Sequence, residues 1–149
     1  MVEPFSGQEQ ELAACFGPEY YLSAAAIAEA NRHRRSFNII SIRTGFKVDL
    51  FVRKDRPFDI EAMRRRIFAQ LPDAPEQPLA MLSAEDCILF KLEWYRLGGG
   101  ISDRQWSDVL GILRVQAGML EMPYLRLWAK ELGIEELLVR AIDEASNAS

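Results

Sequence analysis

The run Phe37-Asn38-Ile39-Ile40-Ser41-Ile42-Arg43-Thr44-Gly45-Phe46-Lys47-Val48-Asp49-Leu50-Phe51-Val52 decides the fold class. Its two halves, 37–42 and 46–52, are rich in β-branched and aromatic residues. A short glycine-bearing connection, Arg43-Thr44-Gly45, joins them, and that pattern predicts a β-hairpin. Alternation along the second strand puts Phe46, Val48, Leu50 and Val52 on one face, with Lys47, Asp49, Phe51 and Arg53 on the other. Asp49 is then a carboxylate in mid-strand, where aspartate is disfavoured. Its expected companion is a nearby cation: Lys47, Arg43 or Arg53.

Helices are expected on both sides of the hairpin. Upstream, residues 4–16 read as a short helix stopped by Gly17-Pro18, and Tyr20-Tyr21-Leu22 as a brief extended piece. Ser23 caps an alanine-rich helix that ends in Arg32-His33-Arg34-Arg35, either a solvated last turn or a phosphate-facing patch. Downstream, Pro57 and Asp59 open a helix carrying Met63 and Arg64-Arg65-Arg66, and residues 67–71 are extended. Three prolines within residues 72–78 read as a stiff connector and a subdomain boundary.

Beyond residue 79 the pattern is helical throughout. Ser83-Ala84-Glu85-Asp86 is a near capping box that leads into the stripe Ile88, Leu89, Leu92 and Tyr95. Gly98-Gly99-Gly100 ends that helix. Ser102-Asp103-Arg104-Gln105 is a second capping box, before Trp106, Val109, Leu110 and Leu113. Met122-Pro123 starts a helix that runs through Glu131 to a stop at Gly133. A last helix spans about 135–145, with 146–149 fraying. The chain is therefore α+β: residues 1–71 mixed and 79–146 helical, together forming one compact unit.

Composition narrows the function. The 149 residues are 49% hydrophobic and 27% charged, which excludes a wholly disordered chain. A net charge of -4 gives no global positive field, so general nucleic-acid binding is excluded, although a local basic patch is not. Two cysteines and one histidine are too few for a zinc site or a disulfide framework. Cys15 and Cys87 are expected to pack as small apolar residues in a reducing cytoplasm. No apolar run spans a bilayer, and Met1-Val2-Glu3-Pro4 has no signal-peptide features. The triple glycine follows a helix and precedes no Gly-Lys-Ser/Thr, so it is a corner and not a phosphate loop.

A few polar residues stand out. Lys91 lies at the border of the buried stripe, close to Ile88 and Tyr95 on the helical wheel. It either snorkels from the core edge or points into a cleft. Trp94 and Trp106 read as core. Arg104 and Asp108, four apart on one helix face, read as a surface ion pair of little worth.

The stretch Phe46-Lys47-Val48-Asp49-Leu50-Phe51-Val52, followed by residues 83–96 and 102–114, resembles the minimal nucleotidyltransferase-like proteins of bacteria. These are similar to the toxin components of AbiEii-type abortive-infection systems. The resemblance runs from about residue 4 to the end and is most specific over 83–114. It implies a nucleotidyltransferase fold, a small mixed or antiparallel sheet with packed helices and a helical C-terminal part. In that family a Gly-Ser turn holds the triphosphate, and three strand carboxylates, two of them an Asp-x-Asp pair, bind two Mg²⁺ ions.

Residue by residue, Asp49 matches the third carboxylate and Lys91 a helix lysine facing the nucleotide phosphates. Arg104 and Asp108 match a polar pair that is structural or lines the cleft. The Gly-Ser turn and Asp-x-Asp belong before the helix at 4–16, and no Asp-x-Asp occurs in this sequence. One carboxylate cannot hold two Mg²⁺ ions, so no metal is expected in this chain alone. The expectation is a catalytically incomplete nucleotidyltransferase-fold protein with residual nucleotide binding and a defence or toxin–antitoxin background. Mg²⁺ and NTP enter if the missing part is supplied. The alternatives are a non-enzymatic interaction module and a truncated form of an active Mg²⁺-dependent enzyme. A homodimer that buries the hairpin is expected, because a bare hairpin has an unpaired edge. A cognate protein partner and a cytoplasmic location complete the expectation.

Overall fold

In the computed structural model, which describes residues 1–3, 6–72 and 74–147, the hairpin pairs antiparallel through β2 (Ser36–Ser41) and β3 (Lys47–Phe51). Asn38 stands opposite Asp49 and Ile39 opposite Val48. Gly45 takes φ +69° in the turn, a left-handed conformation that glycine adopts without strain. The short strand β1 (Tyr20–Tyr21) joins the far side of β2, giving the order β1-β2-β3. The fold is α+β, and the chain divides into two units, Met1–Met63 and Arg64–Ser149.

The first unit packs α1 (Glu9–Cys15) and α2 (Ala24–His33) with this sheet. Ser23 caps α2 by accepting from the Ala26 N–H. Arg34 ends the helix in the left-handed region, φ 50°, and its guanidinium is tied to Asp55 at 2.9 Å. The core is Ile27, Ala30, Phe37 and Val52, with Val2, Leu12, Leu22 and Leu50 packed against it. Only the Leu50–Val52 end of the expected apolar face is inserted there, and Phe46 and Val48 are 69% and 42% exposed. A parallel bridge joins Val2 to Val52. The helix expected over 4–16 starts only at Glu9; Pro4, its expected start, lies outside the described residues. Helix α3 (Pro57–Arg64) follows, ending at the first of the three arginines it was expected to carry, with Asp59 buried against Arg56.

The second unit opens with a hairpin of its own. Strands β4 (Ile67–Leu71) and β5 (Ala74–Met81) pair antiparallel, with Ile67 opposite Met81 and Phe68 opposite Ala80. The expected connector at 72–78 is therefore mostly strand; Asp73, within it, lies outside the described residues. Pairing ties the two sides of the segment together, and each strand of a two-stranded sheet keeps a free edge where proline's missing N–H costs little. Four helices follow: α4 (Ala84–Leu97), α5 (Asp103–Val115), α6 (Met122–Glu131) and α7 (Glu135–Asn147). Helix α4 packs on α5 and α6, and α7 on α5 and α6. Ile88, Leu89, Leu92 and Val109 are fully buried, which the helical spacing of the stripes anticipates, and Leu125, Ile134 and Leu138 are fully buried as well.

Three expectations change. Trp94 is exposed, and Trp106 is only half-buried, with Arg140 stacked 3.9 Å over its ring. An indole can place its apolar body on a helix and its N–H outward, and that of Trp106 donates to Glu144 at 3.0 Å. Cys15 is exposed, because the short α1 buries no residue fully; Cys87 is half-buried. Ser146 and Asn147 belong to α7, where the Ser146 hydroxyl donates to the Ile142 carbonyl, while Ala148 and Ser149 lie outside the described residues. No helix among the described residues is long and apolar enough to cross a membrane.

Candidate functional site

Asp49 is held by its two nearest polar neighbours. The Asn38 amide, directly across the ladder, donates to Oδ1 at 3.0 Å, and the Lys47 ammonium lies 3.1 Å from the same oxygen. The Asn38 hydrogen bond, then that of Lys47, holds the carboxyl below its ordinary value, so Asp49 is ionised at neutral pH. A strand carboxylate is tolerated here because it faces solvent and has a cross-strand partner. Of the three cations expected nearby, Lys47 is the partner, while Arg53 turns to Glu3 at 2.9 Å.

The two other aspartates of the first unit are engaged elsewhere. Asp55 binds Arg34, and Asp59 lies 2.6 Å from Arg56 Nε. Among the described residues no three His, Cys, Asp or Glu side chains converge where a metal could sit. The residues present do not fit a two-metal centre: Asp49 offers one carboxylate, and one of its oxygens already faces an ammonium. Magnesium at its usual coordination needs several fixed oxygens.

In the second unit, Lys91 stands at the edge of the buried stripe, as the helical wheel anticipates. Its ammonium crosses from α4 to α5, donating to Asp108 Oδ2 at 2.7 Å and reaching Gln105 Oε1 at 3.5 Å. The Lys91 hydrogen bond, reinforced by the charges of Lys91 and Arg104, holds the Asp108 carboxyl below its ordinary value. Asp108 was expected to pair with Arg104 along one helix; its hydrogen-bonded partner is Lys91, and Arg104 acts on it through its charge. The structure thus brings Lys91, Gln105 and Asp108 together. Asp49 belongs to the first unit. An open groove of about 630 Å³ in the second unit is lined by Tyr95, Arg96, Gly99, Gly100 and Lys130 among others, and Lys91 is not part of its wall.

A buried polar cluster escapes sequence reading except for its helix cap. Asp86, fully buried in the first turn of α4, accepts from the Tyr124 hydroxyl at 2.7 Å and the Ser83 hydroxyl at 2.9 Å. Burial pushes its carboxyl up, and those two hydrogen bonds only partly oppose the shift. Neighbouring Glu85 accepts from the Glu121 N–H at 3.0 Å and so satisfies a backbone donor at the start of α6. Burial works to raise the Glu85 carboxyl too, but the Glu121 and Glu85 N–H groups, Ser83 and Arg65 outweigh it and bring it below its ordinary value. The Arg65 guanidinium lies 2.9 Å from Glu121 and stacks 4.0 Å over the Tyr124 ring. The near capping box at 83–86 was the one signal of this cluster. It predicts the cap, in which Ser83 Oγ accepts from the Asp86 N–H at 3.1 Å, but says nothing of Tyr124.

Comparison with family models, curated proteins and solved structures finds no match to this chain.

Proposed function

We propose that this chain is a nucleotidyltransferase-fold protein, catalytically incomplete as written, with weak nucleotide binding and a defence or toxin–antitoxin background. The observation that carries the reading is the setting of Asp49. It is an ionised, exposed carboxylate on the last strand of its sheet, at the position the resemblance assigns to a third metal ligand, and no metal-ligating group of three accompanies it among the described residues. Lys91 supports the weakness of binding. A phosphate would have to displace an Asp108 carboxylate 2.7 Å away.

Calorimetry with ATP and other NTPs tests this. Binding in about the millimolar range, nearly independent of Mg²⁺ and lost in Lys91→Ala, is the expected result. Mg²⁺-dependent micromolar binding, or incorporation of label from an α-labelled NTP, would overturn it.

A second reading, a non-enzymatic interaction module, is favoured by the same closed Lys91–Asp108 pair together with the exposed Phe46 and Val48. Absence of any NTP binding at millimolar concentration selects it.

A further inference from the structure

The outer edge of β3 is a self-complementary surface. Val52 donates to the Arg35 carbonyl and Ser41 to the Phe46 carbonyl, so the even-numbered residues of this strand turn their backbone groups toward β2. The odd-numbered ones face the other way, as the bonds from Val2 N to Phe51 O and from Arg53 N to Val2 O confirm. Lys47 and Asp49 therefore direct their N–H and C=O groups to an edge with no further strand among the described residues. Val2 fences that edge beyond Phe51. On the face shared with Leu50, Phe46 and Val48 are 69% and 42% exposed.

We infer that this edge joins two copies of the chain into a twofold dimer, with β3 antiparallel to β3 and the axis beside Val48. In this register Lys47 of each copy stands opposite Asp49 of the other, on one face. On the opposite face Val48 meets Val48, and Phe46 of each copy meets Leu50 of the other. The exposed apolar side chains become cross-strand neighbours, the contacts that stabilise sheets.

The charges select this register over its neighbours. Moving the axis to Asp49 sets aspartate against aspartate; moving it to Lys47 sets lysine against lysine. A parallel in-register pairing does both. A lone lysine on an edge strand opposes pairing. A lysine followed two residues later by an aspartate opposes both neighbouring antiparallel registers and the in-register parallel pairing. The Lys47–Asp49 contact within each chain is solvent-exposed and exchanges its partner at little cost. A C₂ contact of this kind is closed, so it ends at two copies.

Charge reversal tests the register. By sedimentation or light scattering the full chain should be a dimer at micromolar concentration. Lys47→Asp and Asp49→Lys should each weaken it about tenfold or more, since each creates two like-charge pairs. Mixing the two variants should restore the dimer as a heterodimer, seen by native mass spectrometry, because each supplies the charges the other lacks. That restoration also shows that both variants fold. A wild-type monomer at about 100 μM, far above that range, would overturn the proposal. So would a dimer indifferent to either reversal, or a mixture that associates no better than its components. None of these outcomes bears on NTP binding, which rests on Lys91.

Discussion

Removing one oxygen, that of Tyr124, probes how the second unit is held together. In Tyr124→Phe the ring remains, so the Arg65 guanidinium keeps its seat 4.0 Å above it. What goes is a 2.7 Å hydrogen bond to the carboxylate of fully buried Asp86. Hydrogen bonds to charged groups contribute about 1.5–3 kcal/mol, and water cannot readily replace the lost donor at a buried site, so a loss of about 2 kcal/mol is expected. Asp86→Asn keeps the shape and removes the charge. Its amide oxygen still accepts from one hydroxyl, and its NH₂ can donate to the oxygen of the other, so the expected loss is smaller, about 1 kcal/mol or less.

The pH dependence has a definite sign. Burial holds the Asp86 carboxyl above its ordinary value of 3.8, so the folded state binds this proton more tightly than the unfolded state does. Stability contributed through this group is present below 3.8 and is lost as pH rises through the folded value. Acidification from about pH 7 toward about pH 4.5 should therefore improve wild type relative to Asp86→Asn. It should also shrink the Tyr124→Phe penalty, because a protonated Asp86 needs that donor less. Urea unfolding followed by tryptophan fluorescence is the assay, since Trp94, Trp106 and Trp128 all lie in the second unit. A Tyr124→Phe loss below about 0.5 kcal/mol, or an asparagine variant worse than the phenylalanine one at neutral pH, would refute the reasoning.

Two further outcomes follow from the same geometry. Asp49→Asn should leave the unfolding midpoint nearly unchanged, because the position is exposed and an amide still accepts from Asn38; a large loss, or tight Mn²⁺ binding by the wild type, would show that Asp49 sits in a built site. A thiol reagent should label Cys15 well before Cys87, since Cys15 is exposed while burial pushes the Cys87 thiol up. Equal rates at neutral pH would mean that α4 opens at Cys87 far more readily than its packing implies.

Much of the fold was legible because its signals are local. Alternation and Gly45 specify the first hairpin, Ser83 and Ser102 mark two helix starts, and the stripes from Ile88 to Leu113 name residues that are buried. What was not legible depends on partners distant in sequence. Alternation says that Phe46, Val48, Leu50 and Val52 share a face; how much of that face the core reaches depends on α1, α2 and Val2. The prolines of 72–78 argue against a strand until the segment is seen paired with 67–71, where a free edge tolerates them. At the candidate site, position on a helical wheel sets Lys91 at the border of the core, but its counter-ion lies on the next helix. Asp86 reads as a cap because that role is local, while its hydroxyl partner comes from α6. Asp49 and Lys91, the two charges on which the proposed function turns, each already face an opposite charge. A phosphate approaching Lys91 competes with a pair already made. The NTP titration therefore decides the function, and the mere presence of the lysine does not.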